Sequence, residues 1–437
     1  MQIDLQQSGP AKSVPKDRTS KRFRLACTGF VSEQAGSVAA ANALLLRALL
    51  DAGMEIDFFS KPSFVDPRPA IGQRRGFRFV PAVNHYSDRL RHTVRNVPGL
   101  GFVAARNDAA CYNRLLVRRM GVEHRDRRYD AVLWLGDYAQ GRVNGVPAIS
   151  FAQGPPGTDA RSVLRHRAQI RRLSGWRKAL KWELLARLRL SGLGLPKLQF
   201  SDHIIVGSSV SRDCLATTYR ISPHRLSTLP YPIDLELFRP PSIAVQQATS
   251  SPLRLLWLGR IVPRKRLDLF LDGAALALRD DEDVSLTIVG EVGFVHGYDK
   301  LIREFGFPER LRWIQSLPRE QVPELLQTHD VLIQPSEEEN FGSSVAEAQA
   351  CGLPVIVGRT NGNADYLCAR DLHLADDRPE TLALALHEMS IRRRNAGSSN
   401  SAPSRQLAEA HFNPETLAGQ LMAILESVID AHKRTSP

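Results

Sequence analysis

PSEEENFGSSVAEAQACGLPVIVG, residues 335–358, carries the pattern that decides the fold. The apolar run DVLIQ at 330–334 leads into it as a strand, Pro335 turns the chain, Glu337 to Asn340 are polar, and Gly342 permits backbone angles closed to other residues. The spacing then predicts a helix over 345–352 and a second apolar run, LPVIVG, at 353–358. Strand, turn, helix, strand is a βαβ unit, the building block of a parallel sheet covered by helices. The amino end of such a helix faces the loop, and its unpaired N–H groups with the positive end of the helix dipole form a ready site for a phosphate or for sugar hydroxyls. A plainer reading of the same residues is a capping box, in which Ser344 and Glu347 do no more than close the helix start. The local pattern leaves both open.

On the amino side of this unit, short apolar runs recur at LRLLWLG (253–259), VSLTIVG (284–290) and LRWIQ (311–315), separated by helical patterns, so residues 253–405 read as one domain with a parallel sheet. Further back, RLACTGF (24–30), SVAAANALLLRALLDAG (37–53) and MEIDFFS (54–60) form another βαβ unit. AVLWLG (131–136), VPAISFA (146–152) and HIIVGS (203–208) supply later strands of a domain over 23–235. Residues 236–252, with FRPPSIAVQQATSSP from Phe238, are rich in Pro, Ser and Gln without a period and read as a linker. Residues 1–22 are polar and basic and read as a disordered tail. After a Ser-, Asn- and Arg-rich loop near 392–405, ETLAGQLMAILESVIDAH (415–432) reads as a last helix within 406–437, for which a return onto the N-terminal domain is one arrangement. The expected class is α/β: two Rossmann-like domains facing across a cleft, with the ligand site at the carboxyl ends of both sets of strands.

A chain of 437 residues exceeds what one core usually serves, which agrees with two domains. The five cysteines are few, odd in number and widely spaced, which fits neither a disulfide framework nor a metal knuckle and points to a reducing compartment. No stretch approaches the ~20 apolar residues of a bilayer span, so the expectation is a cytoplasmic protein. A formal charge of +12 asks for acidic partners: phosphate-bearing small molecules, an anionic membrane surface or nucleic acid.

Two further loops could carry chemistry. In WLGRIVPRKRLD (257–268), Arg260 and Lys265 follow Gly259 on a short loop where a guanidinium and an ammonium can converge on a diphosphate, although a solvated basic turn would look the same. In the first loop, Thr28 to Ser37, Gly36 precedes the start of a helix that Ser37 can cap. Asp281-Glu282-Asp283 spells Asp-x-Asp, but its place between a helix and a strand makes it an acidic turn rather than a metal site, and the histidines lack zinc spacing, so no metal is expected.

Glu339 and Glu347, separated by seven residues, resemble the paired glutamates of the retaining two-domain (GT-B) enzymes called glycosyltransferase family 4; Glu337 and Glu338 fail that spacing. The resemblance implies that Glu339 contacts hydroxyls of a donor sugar and Glu347 the ribose, that Gly259, Phe341, Gly342 and Ser343 line the donor site, and that Arg260 and Lys265 neutralise the departing diphosphate. It also implies a glycine in the first loop, here Gly36, that lets backbone approach the phosphates. It covers most of residues 23–430 and is densest from Leu253 to Gly358. Three departures stand out: Arg266 where the family has Gly after the lysine, Gln153 where many members have a histidine near the reacting sugar, and Tyr231-Pro232 for Asn-Gly. Gln153 can hydrogen-bond to sugar or acceptor but cannot titrate. The implied function is sugar transfer from a UDP- or GDP-linked donor to a glycan or lipid-linked acceptor, in envelope or exopolysaccharide synthesis, with no cofactor beyond the nucleotide sugar. A sugar-nucleotide-binding protein without turnover is the alternative; nucleic-acid binding lacks a zinc knuckle, an RNA-binding signature and stacking aromatics.

One stretch remains outside this reading. From Arg161 to Lys197 the chain is densely basic, with Glu183 as its sole acid, and Leu173, Trp176, Leu180, Leu184 and Leu188 recur at helical spacing. Such a helix can lie on an anionic bilayer and give the protein a peripheral place at the inner face of the membrane; equally, the stripe can pack on its own domain with the charges in solvent.

Overall fold

The computed structural model describes residues 22–33, 36–61, 65–81, 101–191, 196–241, 251–395 and 401–435, with backbone alone for 101–109. The tail expected over 1–22, save Arg22, and residues 242–250 of the linker expected over 236–252 therefore lie outside the described residues.

The first domain runs β1 (Arg24–Gly29), α1 (Ser37–Asp51), β2 (Glu55–Phe59), α2 (Arg68–Ile71), β3 (Phe77–Val80), α3 (Gly101–Arg127), β4 (Ala131–Leu135) and β5 (Ala148–Phe151). It continues through α4 (Thr158–Arg165), α5 (Arg167–Ser174), α6 (Trp176–Leu190), β6 (His203–Val206), α7 (Ser209–Thr217) and β7 (Leu226–Thr228). Every strand pair is parallel, in the order β3-β2-β1-β4-β5-β6-β7. β4, β5 and β6 are buried along their whole length, as the continuous apolar runs require of strands covered on both faces.

The second domain runs β8 (Leu253–Leu258), α8 (Leu267–Arg279), β9 (Val284–Val289), α9 (Asp299–Arg303), β10 (Leu311–Ile314), α10 (Val322–Gln327) and β11 (Val331–Gln334). α11 (Ser343–Ala350), β12 (Val355–Val357), β13 (Leu372–His373), α12 (Pro379–Asn395), α13 (Ala402–His411) and α14 (Pro414–Thr435) complete it. Its parallel sheet has the order β10-β9-β8-β11-β12-β13, so the strand order reverses between β8 and β11, and the loops after those two strands emerge side by side. Two Rossmann-like domains are thus present. Of the loop expected near 392–405, residues 392–395 end α12 and 402–405 begin α13 while 396–400 lie outside the described residues, and α11 begins at Ser343 rather than Val345 because Gly342 starts the turn.

The two halves are interleaved. Ile170, Leu173 and Ala179, which follow a strand of the first sheet in sequence, share a core with Trp257, Phe270 and Ile288 of the second. In return, α14 packs along α1, burying Leu421, Leu425 and Ile429 in the core that holds Leu45 and Leu49. The two segments that pass between the halves are tied to each other. The Ile233 N–H donates to the Phe412 carbonyl at 3.0 Å, and Arg405 donates to the carbonyls of Leu235 and Phe238 at 3.0 and 2.7 Å.

Candidate functional site

The β8 and β11 loops build the site. After β8, Gly259 passes so close to the β9 loop that a Cβ added at Gly290 would lie 1.8 Å from the Gly259 carbonyl oxygen. Residues 263–265 form one 3-10 turn, and Arg266 closes it in the left-handed region (φ 51°, ψ 45°) as α8 begins. This is a backbone geometry that glycine adopts without strain, so the departure at Arg266 leaves the turn in a glycine-like shape, with the side chain tied to Asp268 at 3.2 Å. After β11, the Glu339 N–H donates to the Thr360 carbonyl and its own carbonyl accepts from Gly362, which fixes the glutamate on the floor of the loop.

There the buried Glu339 carboxylate meets Lys265 Nζ at 2.5 Å and Arg264 Nη1 at 2.7 Å, and Arg264 also donates to Asp159 at 2.8 Å. Burial pushes the Glu339 carboxyl up, but the Arg264 and Lys265 charges outweigh it and hold the group at about 2. The Lys265 ammonium is pushed below its ordinary value, first by burial and further by Arg264 and Arg260, with Glu339 opposing. Arg260 is exposed on the same loop, and its field reaches Lys265. Two cations, Arg264 and Lys265, therefore grip one carboxylate that stays ionised and acts only as an acceptor, with Arg260 further out on the same loop.

The amino end of α11 lies next to this cluster. Gly342 starts the helix at φ 67° with no side-chain cap, and a Cβ there would stand 3.4 Å from Glu339 Cγ. The capping box is not formed: Ser344 Oγ accepts from Gln334 at 3.3 Å, and Glu347 pairs with Arg319 at 3.0 Å. The first-turn N–H groups of α11 thus have no side chain of their own to satisfy them. Glu347 lies one turn into the helix, buried, with its carboxyl raised by that burial against the pull of Arg319. Ser343 is half-buried at the helix start. Phe341 differs from expectation: its ring is buried against Tyr231, Phe412 and Tyr366, so only its backbone is left for a ligand.

The first domain closes over these loops. The buried Asn340 accepts from the Gly207 N–H at 3.0 Å and donates to the Tyr231 hydroxyl at 3.2 Å. Tyr231 in turn donates to the Ala152 carbonyl at 3.1 Å, which gives the Tyr231-Pro232 departure a role as a pin between halves. Gly154, at φ 116°, sits where a Cβ would be 2.9 Å from Asn340 Cβ. Gln153 is exposed next to Gly136, its Nε2 within 3.0 Å of where a Cβ there would stand. Nearby, Thr28 Oγ1 and Asn42 Oδ1 are buried with no hydrogen-bond partner. Gly36 (φ 96°), not Ser37, is the residue before the first turn of α1, and Ser37 is already helical.

Several residues here escape sequence reading. Arg264 stands beside the chosen Lys265, but nothing local says which of three consecutive cations turns inward. Glu337 and Glu338, set aside on spacing, bind Arg161, Arg165 and His166 of α4 and its end. Against burial, the His166 imidazole and the Arg165 guanidinium hold Glu337 at about 2. Arg161 and Arg165 are therefore ion-pair partners within the protein, not part of a solvated basic face. In the 281–283 turn, Glu282 pairs with His387 at 2.5 Å and Asp283 with Arg310 at 2.7 Å. No group of three His, Cys, Asp or Glu side chains among the described residues could hold a metal ion.

Residues 239–396 match the family model of glycosyl transferases group 1. The D-inositol 3-phosphate glycosyltransferase 2 of Catenulispora acidiphila is 30% identical over 177 residues, 38% of this chain and 42% of that protein. The GDP-mannose-dependent alpha-(1-6)-phosphatidylinositol dimannoside mannosyltransferase of Mycobacterium tuberculosis is 29% identical over 219 residues, 47% of this chain and 57% of that protein. The chain thus spans about half the length, or less, of these relatives. Among solved structures, Anabaena HepE in complex with UDP and glucose superposes with a TM-score of 0.61 at 13% identity, covering 93% of this chain and all of that one. Sucrose-phosphate synthase from Thermosynechococcus elongatus superposes with a TM-score of 0.63 at 18% identity, over 94% of this chain and 100% of that one. At these identities the likeness is one of fold.

Proposed function

We propose that the chain is a retaining glycosyltransferase that moves a sugar from a UDP- or GDP-linked donor to a glycan or lipid-linked acceptor, without a metal ion. The observation that carries this reading is the Glu339 carboxylate held between Arg264 and Lys265 beside the uncapped start of α11. Lys265 and Glu339 neutralise each other across 2.5 Å. A donor brings both a diphosphate, which Lys265, Arg260 and the α11 N–H groups can take, and sugar hydroxyls, which an ionised Glu339 can accept. Lys265 then exchanges its carboxylate for phosphate while Arg264 keeps Glu339 in place. As the bond to the diphosphate breaks, the anomeric carbon gains oxocarbenium character and the fixed positive charge meets the negative charge where it develops. Retention follows if the acceptor attacks from the leaving-group face and a phosphate oxygen takes its proton. Glu347, one turn into α11, is suited to a ribose hydroxyl. The phosphatidylinositol dimannoside in the second relative's name is lipid-linked and agrees with a lipid-linked acceptor, whereas the inositol 3-phosphate in the first is neither glycan nor lipid; an acceptor in envelope or exopolysaccharide synthesis rests on the sequence resemblance.

Thermal-shift titration with UDP, GDP and ADP identifies the base, since a ligand that binds only the folded state raises the melting temperature. Removal of Arg260 or Lys265 is expected to lower the transfer rate by about 10²–10³, the usual worth of a charge aimed at a leaving group. Lys265→Ala and Glu339→Ala should lose transfer while melting cooperatively, and transfer should survive EDTA. Full activity in both variants would remove the proposed site.

A further inference from the structure

Among the described residues, four of the seven large apolar side chains left exposed belong to one helix: Trp176 (65% exposed), Leu180 (55%), Leu184 (67%) and Leu188 (39%) of α6. Their spacing of four places them on one stripe. The opposite face is occupied, with Ala179 and Ala186 buried in the core shared with the second domain and Trp182 against Phe294. The remaining exposed side chains of α6 include Arg177, Lys178, Lys181, Arg187 and Arg189, and no acid is among them. The helix's sole carboxylate, Glu183, points inward and is neutralised by Arg171 through two bonds of 2.8 and 2.9 Å. Arg177 lies over the Trp176 ring at 5.2 Å, so the cations run alongside the apolar stripe.

We infer that α6 is a membrane-docking helix that lies in the plane of an anionic bilayer, with Trp176, Leu180 and Leu184 in the acyl boundary and the flanking cations on lipid phosphates. The charge pattern selects this occupant. A second copy of the same face would set five cations against five, whereas an anionic surface answers both the stripe and its rim. At fifteen residues the helix is ~22 Å long, too short to span a bilayer but suited to lying along it. The same helical segment reaches the candidate site, since α4 carries Asp159, which holds Arg264. Docking would therefore fix the cleft at the depth of lipid headgroups. The inference does not depend on the proposed activity, because its readout is binding alone.

The full chain is sedimented with vesicles of phosphatidylcholine, pure or with about a third phosphatidylglycerol, at low and high salt. Pelleting with the anionic vesicles is expected, reduced at least about tenfold when Trp176→Ser, Leu180→Ser and Leu184→Ser are combined, and likewise by Lys178→Glu with Lys181→Glu. Trp176→Phe keeps binding but should lose the vesicle-induced blue shift in tryptophan emission. Those substitutions are exposed and should leave the melting temperature unchanged. Failure to pellet with either vesicle, including retention by nucleic acid instead, overturns the proposal. Equal pelleting of the combined apolar variant, a blue shift that persists in Trp176→Phe, or a dimer that the apolar variant dissociates without any vesicle binding overturns it as well.

Discussion

Arg266 holds a left-handed conformation that costs a residue with a Cβ roughly 1–2 kcal/mol, and its ties to Asp268 and Asp377 offset part of that. Two substitutions separate the contributions. Arg266→Gly removes strain and ion pairs together and should shift stability by less than about 1 kcal/mol, whereas Arg266→Ala keeps the strain, loses the pairs and should destabilise by about 1–2 kcal/mol in thermal unfolding. Glu337 and Glu339, both held at about 2, set a second expectation. Their folded values lie below that of an unfolded carboxylate, ~4.3, so their stabilisation is present above that pH and is lost as pH falls towards 2. Melting temperature should therefore drop on acidification below about pH 4.5, and less steeply in Glu337→Gln. Lys265 and Glu339 were picked out because they match the loop and the glutamate spacing of the family that the sequence resembles; the local pattern alone left a basic turn and a capping box open. Arg264 and Arg319 were not, since their partners lie 75 and 28 residues away and only folding brings them together.

At the level of elements, the buried strands announced themselves as apolar runs: β4, β5, β6 and β11 match the sequence within a residue or two. The short edge strands β3, β7 and β13 did not, because FRFV, LST and LH are too brief and too mixed to stand out from loop. The contact between the β5 and β11 loops was equally hidden. It depends on Gly154, whose positive φ and 2.9 Å approach to Asn340 leave no room for a side chain. Gly154→Ala is expected to cost more than about 2 kcal/mol and to make the loop after β5 susceptible to limited proteolysis. An unchanged digestion pattern would show that the approach is tolerated. Gly290→Ala, whose new Cβ would overlap the Gly259 carbonyl, should distort the β8 loop and abolish nucleotide-dependent thermal shifts.

For the whole molecule, the halves are drawn together by Asn340, on Gly207 and Tyr231, and by Arg161, which donates to the Tyr219 hydroxyl, while Arg165 and His166 fasten α4 to Glu337 and Glu338 of the domain it already covers. Combining Asn340→Ala with Tyr219→Phe should let the halves part, seen as a larger radius of gyration by small-angle scattering. No change in scattering would mean that the shared cores alone set the angle. The two-domain plan was readable from composition and strand pattern, with the return of the last helix onto the first domain as one of its arrangements, but the passage of α4 to α6 onto the second domain was not, because nothing in a helix's own periodicity names the sheet it will cover. The paired crossings, Ile233 joined to Phe412 and Arg405 to Leu235 and Phe238, have a mechanical outcome. Stitched side by side, they act as a doubled seam, so neither crossing can give way without straining the bonds to the other. A lesion in the stitching should therefore loosen the join between the lobes while leaving the loops around Glu339 as they are.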